Sequence, residues 1–354
     1  MGTNRGAGHA TAGDVPRKVK FPPHPNPPAE EVCRFPRHHI LPTNPAMPPI
    51  TPTSTALSRR SFFSLSGAAS VALFNPRSVH AASSAPPEPK RRKIPIGIEL
   101  YAVRGELTRD LPGTLRQVAK IGYEVVEFYS PYVSWTFPHA KEVRTLLDDL
   151  GLRCYSTHNG AASLIDAGTM AKAIELNQIL GARHVIAASP PRGVRGTDAW
   201  KRVAEQFSAA TEQLKPHGLS PGFHNHASEW KPADEGGPPI MDILATNTPP
   251  EFVLQLDVGT ALEAGVDTVA WIKDHPGRIK SVHLKDWTPG TKEEGKAYRV
   301  LFGEGVAPWK ELLAAAESVG GVEYYLMEQE GSRYSEFETA ERCLATWKKM
   351  RAQA

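Results

Sequence analysis

The sequence predicts an α/β protein, a single-domain (β/α)8 barrel, and three observations predict it. Short β-rich runs recur roughly every 25 to 40 residues from Ile96 onward, each followed by a stretch of helical period. Helical stretches stop at glycines, namely Gly122, Gly151, Gly181 and Gly218. Apolar content stays high from Ile94 to Met350, so about 260 of the 354 residues share one core, near the usual size of such a barrel.

The first strand is Ile96–Tyr101, with a helix over about 111–121 behind it, and the second is Glu124–Tyr129, with a helix over about 138–150. Arg153–His158 is third, before a helix ending at Gly181, and His184–Ala188 is fourth, before a helix over 198–217. Pro221–His226, Phe252–Asp257, Ile279–Leu284 and Tyr324–Glu328 follow as strands five to eight, and a helix over about 337–351 closes the chain. Eight such units close most economically into a barrel.

The barrel is expected over 94–354, behind a front segment rich in Pro, Ser, Ala and basic residues that cannot bury enough surface to order itself. Residues 1–57 read as a disordered Pro-rich extension, 58–82 as a signal peptide and 83–93 as a linker. Ser58-Arg59-Arg60-Ser61-Phe62-Phe63 carries the twin-arginine pattern. An apolar run to Phe74 and the small-residue cleavage site Val79-His80-Ala81 follow in order. That apolar run is too short to span a bilayer. The expectation is therefore an exported protein, periplasmic or extracellular, carried by the twin-arginine translocase and meeting unphosphorylated sugars or glycosides. The stretch before Ser58 is long for an n-region, which makes Met47 the expected true start.

Formal net charge is +3, but much of the basic excess lies in the front segment. The folded part is near neutral or slightly acidic, which argues against nucleic acid as a partner. Only Cys33, Cys154 and Cys343 occur, too few and too scattered for a disulfide framework. A homodimer is compatible with these features and not required by them.

In such barrels the chemistry sits at the C-terminal ends of the strands. Glu127, His158, His224, His226, Asp257, His283 and Glu328 all fall at or just past strand ends. Burying so many polar groups without partners costs several kcal/mol, roughly. A divalent cation collects imidazole and carboxylate ligands naturally, so one Mn, Mg, Co or Zn ion is expected. By strand alternation Lys285 points to the side of His283, where it would stabilise developing negative charge. Gly303-Glu304-Gly305 reads as a tight turn at the pocket rim and not as a phosphate loop, since it lacks the Walker lysine. Glu127 and His158 are read as contacts to substrate hydroxyls, with structural hydrogen bonding as the alternative. His226 and Trp230 are further expected substrate contacts. Tyr101, Tyr129, Trp230 and Trp287 offer faces for sugar C–H groups.

With these residues in view the sequence resembles the sugar phosphate isomerase/epimerase group of xylose isomerase-like TIM barrels, from about Ile94 to Met350. The resemblance is carried by Phe223-His-Asn-His226 with Glu229-Trp230, Leu256-Asp-Val-Gly259, Val282-His-Leu-Lys-Asp286, Gly303-Glu-Gly305 with Trp309, and Met327-Glu-Gln329. It implies one divalent ion held from strands five to eight, by His224, Asp257, His283 and Glu328. Many relatives have a glutamate where His224 stands, so either His224 ligates or Glu229 or His226 does.

A metal-held carbonyl makes the proton on the adjacent carbon acidic enough for a carboxylate, here Glu328, to remove. An enediolate follows, and isomerisation, epimerisation and elimination all share that step. Two-base epimerisation needs a partner to Glu328, which Glu229 or His158 would supply. An isomerase or epimerase is the leading reading. A lyase or dehydratase on a 3-keto-glycoside or inosose-like substrate is the alternative, and a non-catalytic carbohydrate-binding barrel the second.

Overall fold

The structure is a computed structural model that describes residues 93–290 and 296–353. Eight strands close into a barrel in chain order, each parallel to both neighbours. They are β1 (Ile96–Glu99), β2 (Val125–Phe128), β3 (Arg153–Gly160), β4 (His184–Ser189), β5 (Ser220–His224), β6 (Val253–Asp257), β7 (Ser281–Leu284) and β8 (Tyr324–Met327). The predicted barrel and all eight predicted strands are present. The expected extension, signal peptide and linker, apart from Lys93, lie outside the described residues. Among the described residues no helix is long and apolar enough to cross a membrane.

The helices form where the glycine stops and polar caps place them. Asp110 accepts from the Gly113 N–H ahead of the helix Leu111–Ile121, and Thr136 accepts from the His139 N–H ahead of Phe137–Leu150. Both helices end on left-handed glycines, Gly122 and Gly151. Their apolar faces and the outward faces of the strands make one continuous core.

Inside the barrel the strands alternate, and this sets the depth of the polar residues. Val125 and Leu326 join Tyr324 in a small separate apolar cluster. Glu127 and Glu328 stand two residues further along those same strands, toward the C-terminal mouth. Strand boundaries differ from the sequence reading by one or two residues, and two of the differences bear on the site. β5 ends at His224 and not at His226, because the Asn225 side chain leaves the ladder to pair with the backbone of Asp257 and the hydroxyl of Thr260. β1 ends at Glu99, whose carboxylate accepts from the Tyr101 N–H and turns the chain into a short 3-10 segment.

Candidate active site

The strand ends deliver a buried ring of ionisable side chains. Glu99 and Glu127 are register partners on β1 and β2, as are Asp257 and His283 on β6 and β7. His158 comes from β3, His224 ends β5, Lys285 follows β7 and Glu328 follows β8. Glu127, Asp257 and His283 are 0% exposed and none of the ring exceeds 7%. Charges buried this deeply persist only when paired.

The pairing is dense. His283 lies between two carboxylates, with Nδ1 2.6 Å from Glu328 Oε2 and Nε2 2.8 Å from Glu127 Oε2. Burial opposes its charge, but those two carboxylates push it up to about 9. The ring is therefore an imidazolium with both N–H groups donating. Burial would raise the Glu127 carboxyl, yet His158 and His283 hold it well below the usual range. His158 is raised against burial by Glu127, 3.1 Å away. Burial, then the neighbouring imidazoles, keep His224 well below its ordinary value, so it is neutral.

Lys285 points into the barrel as strand alternation predicts. Its Nζ donates to Asp257 Oδ2 at 3.1 Å, to Glu328 Oε1 at 3.0 Å and to Glu330. Burial opposes this ammonium, but Asp257 and the two glutamates hold it charged. Asp286 points the other way. Its carboxylate accepts from the backbone N–H groups of Gly303, Gly305 and Ala307 and from the Trp309 indole. A Cβ on Gly305 would fall 2.1 Å from Asp286 Oδ1, so the Gly303-Glu-Gly305 segment is the tight turn expected, wrapped around a carboxylate.

Donor atoms of His224, Asp257 and Glu328 lie within 4.8 Å of one another, and those of His158, His224 and His283 form a second such group. The His224 Nε2 to Asp257 Oδ2 separation is 3.7 Å. Ligand bonds of about 2.0–2.2 Å place two ligands of one ion about 3–4 Å apart, so a neutral imidazole and two carboxylates at this spacing fit a divalent cation. Of the four expected ligands, three converge directly. His283 reaches them through its bond to Glu328, which it would exchange to ligate an ion itself.

A cavity of about 320 Å³ opens above the ring, lined among others by Glu99, Tyr129, His158, His226, Glu328 and Glu330. Tyr101 joins this wall, edge-on to Tyr129 at 5.4 Å between ring centres. His226 is exposed at the cavity, as a substrate contact would be. Two expected site residues, the candidate second base Glu229 and the candidate contact Trp230, are not among the lining residues. Both Glu229 oxygens are engaged locally, Oε2 by the His226 N–H at 2.7 Å and Oε1 by the Ser228 hydroxyl at 2.6 Å, and the residue caps the turn Ala227–Trp230. Trp230 is buried in the core, edge-on to Trp271 at 4.7 Å between ring centres. Trp287 is absent from the lining as well.

Sequence reading missed Glu99, Gln255 and Glu330. Gln255 is 0% exposed and bridges Glu127 and Ser281 on one side to His158 and His224 on the other. Its position two residues before Asp257 on one strand was the available signal.

Comparison with known proteins places this geometry among relatives. A family model described as xylose isomerase-like TIM barrel matches residues 115–349. An inosose dehydratase of Clostridium perfringens is 28% identical over 113 residues, 32% of this chain and 37% of that protein. A protein of Escherichia coli strain K12, provisionally named an L-ribulose-5-phosphate 3-epimerase, is 32% identical over 146 residues, 38% of this chain and 48% of that one. Both matches span less than half of the relative. A sugar phosphate isomerase/epimerase structure from Parabacteroides distasonis shares the fold, with a TM-score of 0.61 at 24% identity over 73% of this chain and 96% of that one.

Proposed function

This chain belongs to the xylose isomerase-like TIM-barrel family, and on that premise we propose that it is a divalent-metal-dependent enzyme removing a proton next to the carbonyl of an unphosphorylated sugar or polyol. The observation that carries the reading is the cavity itself. Its lining includes His224 and Glu328, two of the three converging donors, together with Glu99 and Glu330, and neither Lys nor Arg among the described residues. Such a wall offers no ammonium or guanidinium to clamp a phosphate and offers acceptors to neutral hydroxyls.

His224, Asp257 and Glu328 would hold the ion, which when bound supplies Lewis-acid polarisation of the substrate carbonyl. Glu328, which lines the cavity, is our candidate for the carboxylate that takes the proton. The Lys285 ammonium, buried outside the cavity lining and 3.0 Å from Glu328 Oε1, would act through that carboxylate, helping to hold it charged. His158 Nδ1 lies 3.6 Å from Glu99 Oε1 at the cavity floor, where the ring can pass a proton to a departing hydroxyl.

Two-carboxylate epimerisation needs a second glutamate at the cavity; Glu229 is engaged in its cap, whereas Glu99 and Glu330 line the cavity together with Glu328 and offer candidates. Isomerisation or epimerisation is therefore the first reading. Elimination, as in a dehydratase, is the second, carried by the position of His158 in the cavity lining.

The test is incubation of the protein, loaded with Mn, Co or Zn, with keto-sugars, an inosose and 3-keto-glycosides in heavy water. A conjugated enone product identifies elimination, and deuterium at the adjacent carbon without enone identifies isomerisation or epimerisation. Binding of the same compounds with neither change would leave a carbohydrate-binding barrel.

A further inference from the structure

We propose that Gln255 is a positioning residue that sets the tautomer of His224, so that this ring presents a bare Nε2 to Asp257 and Glu328. Its bearing on metal binding rests on the metal-centre reading above, whereas the tautomer itself does not.

The amide is oriented from behind. Its Nε2 lies 3.0 Å from Glu127 Oε1 and 2.9 Å from the Ser281 hydroxyl. Glu127 is ionised and can only accept, so the amide atom facing it must be the NH2 group. Gln255 Oε1 then faces the two imidazoles, 2.7 Å from His158 Nε2 and 3.0 Å from His224 Nδ1. A carbonyl oxygen only accepts, so each of those nitrogens carries a hydrogen. Glu127 Oε2, 3.1 Å from the same His158 nitrogen, requires the same assignment there.

For a neutral His224, a hydrogen on Nδ1 means a lone pair on Nε2, the atom 3.7 Å from Asp257 Oδ2. Asp257 Oδ2 lies beyond hydrogen-bond distance of Nε2, whereas Gln255 Oε1 is within it of Nδ1. Without that acceptor nothing would hold the hydrogen on Nδ1, and a hydrogen on Nε2 would block the ligand position. The polarity originates in Glu127 and passes through one amide to the metal-side nitrogen. Hydrogen bonds of this kind behind a ligating histidine commonly govern metal affinity.

The experiment is long-range 15N–1H correlation on metal-free protein labelled at histidine nitrogens, combined with Co(II) titration. Wild-type His224 should show a protonated Nδ1 and a bare Nε2. Gln255→Met should move the proton to Nε2 and weaken Co(II) binding about 10- to 100-fold. A wild-type His224 protonated at Nε2, or a Gln255→Met protein that keeps the proton on Nδ1, would overturn the proposal. The wild-type spectrum decides alone if the variant does not fold. The predicted tautomer in a wild type that binds no cobalt would contradict the metal centre and leave the role of Gln255 standing.

Discussion

Glu229 caps a turn, one oxygen accepting from the His226 backbone and the other from the Ser228 hydroxyl, and it belongs neither to the converging donor groups nor to the cavity lining, so we assign it to the cap and not to the metal. Glu229→Ala should cost about 1 kcal/mol of stability, as loss of a cap does, with metal content unchanged. Metal analysis and urea unfolding of that variant read the two effects separately, and a loss of metal would return Glu229 to the centre. His184 makes a different kind of prediction. Burial, helped by Arg183 and Lys280, pushes its pKa down to about 3, and its Nδ1 pairs with the Tyr324 hydroxyl at 2.9 Å. In the unfolded chain the ring takes up a proton near pH ~6.5. Between about 6.5 and about 3 the unfolded state thus binds more protons, and stability falls as pH falls, by up to about 1.4 kcal/mol per unit. Urea unfolding of wild type and His184→Gln at pH 7 and 5 should show a shallower pH dependence in the variant, and equal slopes would refute the assignment. At this scale the sequence revealed residues that stand out by type at strand ends, such as Asp257 and His283. It concealed Gln255, an uncharged residue whose role appears only when four strands bring Glu127, His158, His224 and Ser281 around it.

The strands were legible as elements because short β-rich runs alternate with stretches of helical period, and their order follows from parallel neighbours. Their ends were less legible. The Asn225 side chain stops β5 by bonding to the neighbouring strand, a contact that no local pattern announces. That left His226 and Trp230 read as extensions of the strand-five site, whereas the turn after β5 sends one to the cavity and the other to the core. Close packing between strands is also an element property. A Cβ on Gly222 of β5 would sit 2.6 Å from Ile186 Cδ1 and 2.7 Å from the Val253 carbonyl oxygen, on the strands at either side. Gly222→Ala should destabilise the barrel by about 1–3 kcal/mol, because the backbone at Val253 cannot yield as a side-chain end can. Unchanged urea unfolding would show that the strands have room there.

Across the whole molecule the barrel spends its closed geometry on one cluster of charge. Lys285 and the imidazolium of His283 balance carboxylates from β2, β6 and β8, and each of these groups would be costly to bury alone. An arriving divalent cation would take over part of that balancing, with release of protons and a gain in stability. The most direct measurement is metal analysis of the purified protein, stripped with chelator and reloaded, beside His224→Ala and Glu328→Ala. The account predicts about one divalent ion per wild-type chain and its loss from both variants. A wild type that cannot be loaded, or a Glu328→Ala protein that holds its ion as tightly as wild type, would contradict it.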